Sequence, residues 1–279
     1  MRSAITPLAL LEPKSLREAL HMLRHESSPP VTPLAGCTDI YVALNFGTQP
    51  HARFMNVWGL RELRGISMRG ETLVLGALTT YTDVINSRLV RRHLPMLAAA
   101  ALDIGGVQIQ NRGTLGGNIA NASPAGDTLP VFAAADATIV LRNADAERRV
   151  PFAEFYTGYR CTVLSPDELI VAIEVPPQNG RQWFRKVGTR AAQAISKVSL
   201  AAVRAERPRL ALGSVSATVV RLPRTEAVLA ADADLPSARH TLMKEIQPID
   251  DLRSSAAYRR RVAANLLEQF WKETEEARD

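Results

Sequence analysis

Apolar positions in this chain follow helical spacing in a few stretches and form short strand-like runs between them. Leu16, Ala19, Leu20 and Leu23 share one face of residues 15–26 behind Ser15, which predicts an amphipathic helix ended by Ser27, Ser28, Pro29 and Pro30. Residues 31–35 read as a short strand that enters the tight turn Gly36-Cys37-Thr38-Asp39, and residues 40–44 resume as a helix. Residues 53–57 read as a strand, and 66–68 pairs with 73–77 as a hairpin through Arg69-Gly70-Glu71. Helices are predicted over 80–89 and 93–102, a small helical segment over 129–135, and a second hairpin from 137–142 and 147–150 around Asn143-Ala144-Asp145-Ala146. In 169–175, alternation sets Ile170, Ala172 and Glu174 opposite Val171, Ile173 and Val175, and Pro176-Pro177 closes the strand. A boundary is expected there, giving domains 1–176 (two lobes, about 1–57 and 58–176) and 177–279. In the second, 183–187, 196–204 and 209–215 read as strands and 225–230 as a short helix. Tyr258, Val262, Leu266 and Phe270 mark an amphipathic helix over 256–272.

Between these elements, residues 108–127 break the periodicity. Gln108-Ile109-Gln110-Asn111-Arg112-Gly113-Thr114-Leu115-Gly116-Gly117-Asn118, continuing to Asp127, is too polar for a core strand and too rich in glycine for a stable helix. The composition predicts a loop whose backbone N–H groups approach an anion, of which phosphate is the usual case. A second glycine-bearing turn, Gly36 to Asp39, stands at a predicted helix start, so the two together suit a ligand with two phosphates or an extended dinucleotide. Neither is a Gly-x-Gly-x-x-Gly fingerprint or a Walker loop. Glycines serving only turn geometry would not need Thr114, Asn118, Ser123 and Asp127 gathered beside them.

Charge and cysteine usage narrow the classes. The net charge is +6, but basic residues cluster only in short runs such as Arg91-Arg92-His93, Arg148-Arg149 and Arg259-Arg260-Arg261. With aromatics at 5%, no basic stripe for nucleic acid emerges, and a solvated surface, with an acidic partner subunit as one use of the charge, is the better reading. Cys37 and Cys161 are the only cysteines, too few for an iron–sulfur cluster, a structural zinc or a disulfide framework. His21, His25, His51, His93 and His240 are dispersed, which argues against a metal site or a histidine triad in this chain. Trp58, Trp183 and Trp271 read as packing residues or interface anchors, and Cys161 as a packed thiol. The first residues are unlike a signal peptide and no run reaches membrane-spanning length, so a cytoplasmic location is expected.

Ala35-Gly36-Cys37-Thr38-Asp39-Ile40 resembles the Ala-Gly-Gly-Thr-Asp-Leu motif of the FAD-binding (medium) subunit of molybdenum hydroxylases, the xanthine dehydrogenase, carbon monoxide dehydrogenase and aldehyde oxidoreductase type. Residues 108–127 resemble that family's Gln-Ile-Arg-Asn-x-Gly-Thr-x-Gly-Gly-Asn-Ile-x-x-Ala-Ser-Pro-x-x-Asp motif. Residues 184–190, 195–198 and 209–213, with Tyr258-Arg259-Arg260, resemble its C-terminal domain. The resemblance implies an α+β fold, with a two-lobed FAD-binding domain of the vanillyl-alcohol-oxidase (PCMH) type followed by a smaller α+β domain like that of the carbon monoxide dehydrogenase flavoprotein. Carried onto matching positions, it implies that Pro33, Leu34, Ala35, Gly36, Cys37, Thr38, Asp39 and Ile40 wrap the FAD pyrophosphate with backbone N–H groups, as do Thr114, Leu115, Gly116, Gly117 and Asn118. It places Ile104 near the flavin, Asp127 on sugar or ribityl hydroxyls, Ile170 against the ring system and Lys186 near the isoalloxazine. Without the resemblance, Lys186 reads as a surface lysine on a strand.

The chain departs from the pattern twice. Cys37 replaces a second glycine, a substitution expected to fit if its φ is negative, and Gln110 replaces an arginine, although Arg112 lies two residues on. The resemblance implies an oxidoreductase subunit with no catalytic side chain or metal of its own. Molybdopterin would lie on a large partner and 2Fe-2S clusters on a small one, in a dimer of heterotrimers. Electrons would pass through FAD to NAD+, oxygen or a carrier. The alternatives are a stand-alone FAD oxidase, for which no histidine or tyrosine constellation marks a base, and a flavin-free structural subunit.

Overall fold

Short parallel strands open the fold in this computed structural model, which describes residues 8–25, 29–49, 52–231 and 234–275. The readings of the first seven residues, of Ser27 and Ser28 and of His51 lie outside the described residues. β1 (Ala9–Leu11), β2 (Val31–Leu34) and β3 (Arg53–Asn56) form a parallel sheet of order β1-β3-β2, with α1 (Leu16–His25) and α2 (Ile40–Phe46) as its crossovers. Ser15 caps α1, its Oγ accepting the Glu18 N–H at 3.2 Å, and the apolar face predicted for that helix is the face buried with Met55 and Val57.

The second sheet is antiparallel. β4 (Ile66–Arg69) and β5 (Thr72–Gly76) form the first hairpin. The helices α3 (Tyr81–Asn86), α4 (Arg88–His93), α5 (Pro95–Leu102), α6 (Val107–Gln110), α7 (Leu115–Asn121) and α8 (Thr128–Ala134) follow it. β6 (Thr138–Arg142) and β7 (Glu147–Pro151) form the second hairpin, α9 (Phe152–Phe155), β8 (Tyr156–Gly158) and β9 (Cys161–Thr162) a small excursion, and β10 (Leu169–Val175) completes the order β4-β5-β10-β6-β7. The helix expected over 80–89 is divided at Ser87, whose Oγ accepts the Val90 N–H at 3.2 Å and so starts a new helix. Pro95 in the first turn of α5 likewise separates it from α4. The alternation expected in β10 fails at a bulge. Ile170 pairs with Leu141 and Ala172 with Val140, so Val171 is extra, and Ile170 joins the same core as Ile173 and Val175 while Val171 faces the α1 side.

The last sheet is β11 (Arg181–Val187), β12 (Val198–Arg204), β13 (Arg209–Gly213) and β14 (Val220–Arg221), antiparallel in that order, followed by α10 (Pro223–Ala230), α11 (Leu235–Glu245) and α12 (Ala256–Glu273). The three strands expected here are present, and their side chains alternate between two cores. Leu200, Ala202, Leu210 and Leu212 pack with Leu242, Leu267 and Phe270, whereas Phe184, Ala201, Val203 and Ala211 belong to the core that contains α5 and α8. α8 is consequently buried at all seven positions, which its apolar sequence Thr-Leu-Pro-Val-Phe-Ala-Ala permits. α11 escapes sequence reading because only Ala238 and Leu242 are buried along it. No helix among the described residues is long and apolar enough to cross a membrane.

Since β12 and β13 cover α8, the expected boundary at residue 176 cuts through a shared core. A fragment ending at residue 176 should bind a hydrophobic dye and melt below the full chain; a dye-free fragment of equal melting temperature would show that the first 176 residues are self-contained.

Candidate functional site

β2 and β3 end side by side, and the chain leaves β2 through the turn Ala35 to Asp39. Gly36 cannot carry a side chain, because a Cβ there would overlap the carbonyl oxygen of Arg112. The two glycine-bearing stretches therefore cross backbone against backbone, as a single bipartite turn.

Residues 108–127 are less of a loop than their composition suggests, since α6 and α7 lie within them. Thr114 caps α7, its Oγ1 accepting the Gly117 N–H at 3.1 Å, and a capped, packed helix tolerates glycines that an isolated one would not. Gly116 is needed for close approach, because its Cβ would lie 2.8 Å from the Ala77 carbonyl oxygen. The Leu115 N–H donates to the Thr79 carbonyl at 3.0 Å, that of Gly116 to Ala77 at 2.8 Å and that of Asn118 to Thr114 at 3.0 Å. By contrast, the N–H groups of Gly36, Cys37, Thr38 and Asp39 have no protein acceptor among the described residues. The first turn is thus the one with donors to offer, and the second is the wall that holds it.

A cavity of about 350 Å³ opens between them. Pro33, Ala35, Gly36, Cys37, Thr38, Asp39, Ile40, Thr114, Gly116, Gly117, Asn118 and Ile170 all line it. Leu34, half-buried in β2, and Leu115, fully buried in α7, do not; nor do Ile104, Asp127 and Lys186. Val57, Leu63, Leu78 and Leu169 make much of the remaining wall apolar, with Tyr81 and Glu168 beside them. Burial pushes the Tyr81 hydroxyl pKa up strongly, with Asp39 and Asp127 adding to the effect, so the phenol stays protonated. Arg148 hydrogen-bonds both Glu168 oxygens, at 2.6 and 2.8 Å, and holds that carboxyl below its usual range. Burial raises Asp39, against the opposing influence of Arg160 and Asn121. Free N–H donors on one side and an apolar wall on the other suit a ligand with both an anionic and an apolar part.

Lys186 is not a surface lysine. Its Nζ lies 2.6 Å from Asp127 Oδ2 and donates to the Asp103 carbonyl at 2.9 Å, and the Ser196 hydroxyl donates to the other Asp127 oxygen. Lys186 and Asp127 are both buried; burial pushes the Asp127 carboxyl up, while Lys186 and Ser196 act in the opposite sense. The cluster ties β11 and the strand-to-strand connection after it to the start of α8. Gln110 also has a defined task, its Nε2 donating to the carbonyls of Leu102 at 3.3 Å and Ile104 at 3.2 Å and so closing the C-terminal end of α5.

Cys37 departs from expectation, for its φ is +64, in the left-handed region. Its Sγ donates to the Ala35 carbonyl at 3.6 Å, and burial raises the thiol pKa against the influence of Arg112. Arg112 stacks on Trp58 at 3.8 Å from the ring centre, and Arg64 stacks on the same indole at 4.3 Å. No motif in the sequence marks this cluster, and Trp58 reads there only as a packing residue.

Residues 6–178 match the family described as the FAD binding domain in molybdopterin dehydrogenase, and residues 183–274 match the CO dehydrogenase flavoprotein C-terminal domain. The chain is 32% identical over 270 residues to the glyceraldehyde dehydrogenase medium chain of Sulfolobus acidocaldarius, covering 93% of this chain and 95% of that one. It is 31% identical over 268 residues to the carbon monoxide dehydrogenase medium chain of Hydrogenophaga pseudoflava, covering 92% and 93%. Its fold matches a chain of the solved carbon monoxide dehydrogenase of that organism with a TM-score of 0.89 at 29% identity, over 95% of this chain and 96% of that one. The quinoline 2-oxidoreductase of Pseudomonas putida 86 matches with a TM-score of 0.90 over 96% and 97% of the two chains, a likeness of fold alone at 22% identity.

A left-handed non-glycine residue costs on the order of 1 kcal/mol. Cys37→Gly should therefore stabilise the chain by about 0.5–1 kcal/mol in denaturant unfolding, opposite in sign to a glycine substitution within regular structure. A loss of stability would mean that the thiol's contacts outweigh the backbone strain.

Proposed function

Because the chain belongs to the FAD-binding, medium-chain subunits of the molybdenum hydroxylases, we propose that it is the electron outlet of a heteromeric oxidoreductase. In this reading a large partner carries molybdopterin and the substrate site, and a small partner carries the 2Fe-2S clusters. The chain receives electrons from those clusters and passes them to NAD+, oxygen or a carrier, in a cytoplasmic dimer of heterotrimers. Residues 1–176 are assigned to FAD binding and 177–279 to the flavoprotein C-terminal part.

The observation that carries this reading is the row of uncommitted N–H groups from Gly36 to Asp39 at the head of an apolar cavity. The residues fit FAD. Pro33 to Ile40 would hold the pyrophosphate, with Thr114, Gly116, Gly117 and Asn118 as the facing wall. Asn118 Oδ1 accepts from Thr128 Oγ1 at 2.6 Å, which fixes the side chain and leaves its amide N–H groups for the ligand. Ile170, turned into the cavity by the β10 bulge, would pack on the ring system. Bound FAD supplies the means of accepting electron pairs and releasing them singly or together. For Ile104, Asp127 and Lys186 we propose a supporting role behind the flavin end, since both Asp127 oxygens are engaged by Lys186 and Ser196. A stand-alone oxidase would need a base over the cavity; Tyr81 stays protonated and both Glu168 oxygens are held by Arg148, which leaves Asp39, beside the free N–H groups, as the one carboxyl of the lining not so engaged.

Gly36→Ala tests the cradle. The added methyl must displace the Arg112 carbonyl or the turn, so the purified variant should keep its circular dichroism but lose most of its flavin absorbance. Stoichiometric FAD in a folded Gly36→Ala protein would remove this turn as the pyrophosphate site. Co-purification with a large and a small chain, and bleaching of the flavin band on adding the complex's substrate, test the wider reading.

A further inference from the structure

Two guanidinium groups lie over one indole beside the 36–39 turn, and among the described residues neither is paired with a carboxylate. Arg64 is accounted for, since it donates to the Trp58 carbonyl at 2.7 Å and to the Leu78 carbonyl at 3.4 Å. The Arg112 backbone N–H donates to the Ile109 carbonyl at 3.1 Å, but its guanidinium makes no hydrogen bond to protein among the described residues, so the side-chain N–H donors are uncommitted. Its plane is nevertheless fixed by the indole at 3.8 Å, and its own carbonyl is the group against which Gly36 packs. Two cations held this close without an anion repel each other, and a ligand phosphate would relieve the repulsion. Arg112, Arg64 and Trp58 lie just outside the cavity lining, but Gly36 packs on the Arg112 carbonyl, the Arg112 charge acts on Cys37, and Gly36, Cys37, Val57 and Leu78 all line the cavity.

We propose that Arg112, stacked on Trp58, is the charged anchor of the FAD pyrophosphate at the 36–39 turn, with Arg64 fixing the indole behind it. The inference rests on the FAD-binding reading above and adds a residue to it. Gln110, by contrast, lies outside the cavity lining and closes the end of α5 through neutral hydrogen bonds.

The test uses the full chain freed of flavin and retitrated with FAD at several KCl concentrations. Arg112→Met keeps a side chain on the indole but removes the charge, and should weaken FAD binding roughly 10- to 100-fold. It should also flatten the salt dependence shown by the wild type, whereas Arg112→Lys should preserve that dependence. A Met variant with wild-type affinity, or one that loses affinity while keeping the wild-type salt dependence, would overturn the proposal. If the Met variant does not fold, salt-independent FAD binding by the wild type or by Arg112→Lys overturns it instead. Failure of the wild type to bind FAD would overturn the functional reading itself, a result distinguishable from these.

Discussion

The α-carbon of Gly36 rests on the carbonyl of Arg112 with no room for a side chain between them, and the geometry of the site follows from that contact. It brings the end of a parallel β-α unit against the turn between two short helices some seventy-five residues later. With the second turn pinned to Ala77 and Thr79 through its own N–H groups, the first turn has a rigid surface behind it. A row of free donors can stay extended and available only because the neighbouring backbone is fixed.

A second constraint acts at the other end of α7. Asp127, Lys186 and Ser196 form a buried polar cluster in an otherwise apolar seam, and α8 leaves that cluster to run between two sheets. Burying a charge pair gains little net stability, but leaving either partner alone there would cost several kcal/mol. The cluster therefore acts mainly as a registration device. It fixes where β11 crosses the start of α8, and hence where the third sheet sits relative to the cavity.

Much of this was legible in the sequence because burial imposes periodicity. The apolar face of α1, both hairpins and the strand positions of β11, β12 and β13 are visible in the sequence, whereas the sharing of those strands between two cores is not. What stayed hidden depends on local competition or on distant partners. Ser87 breaks a helix by capping its successor, Val171 inserts an unpaired residue into β10, and Gly116 and Gly117 become helical because Thr114 and Ala77 wait for them. Most residues nominated around the two glycine turns do line the cavity. Lys186, Asp127 and Ile104 do not, since no sequence pattern reveals that a lysine and an aspartate fifty-nine residues apart will neutralise each other. The backbone of Cys37 was equally out of reach, for a side chain's identity does not disclose the φ its neighbours impose.

The unequal state of the two turns divides their tasks. The α7 side has already satisfied its donors within the chain, so it needs no ligand to hold its shape. The 36–39 side surrenders only water when a ligand arrives. The wall of the cavity is thus held by the chain's own hydrogen bonds, and only the 36–39 face presents donors to what enters it.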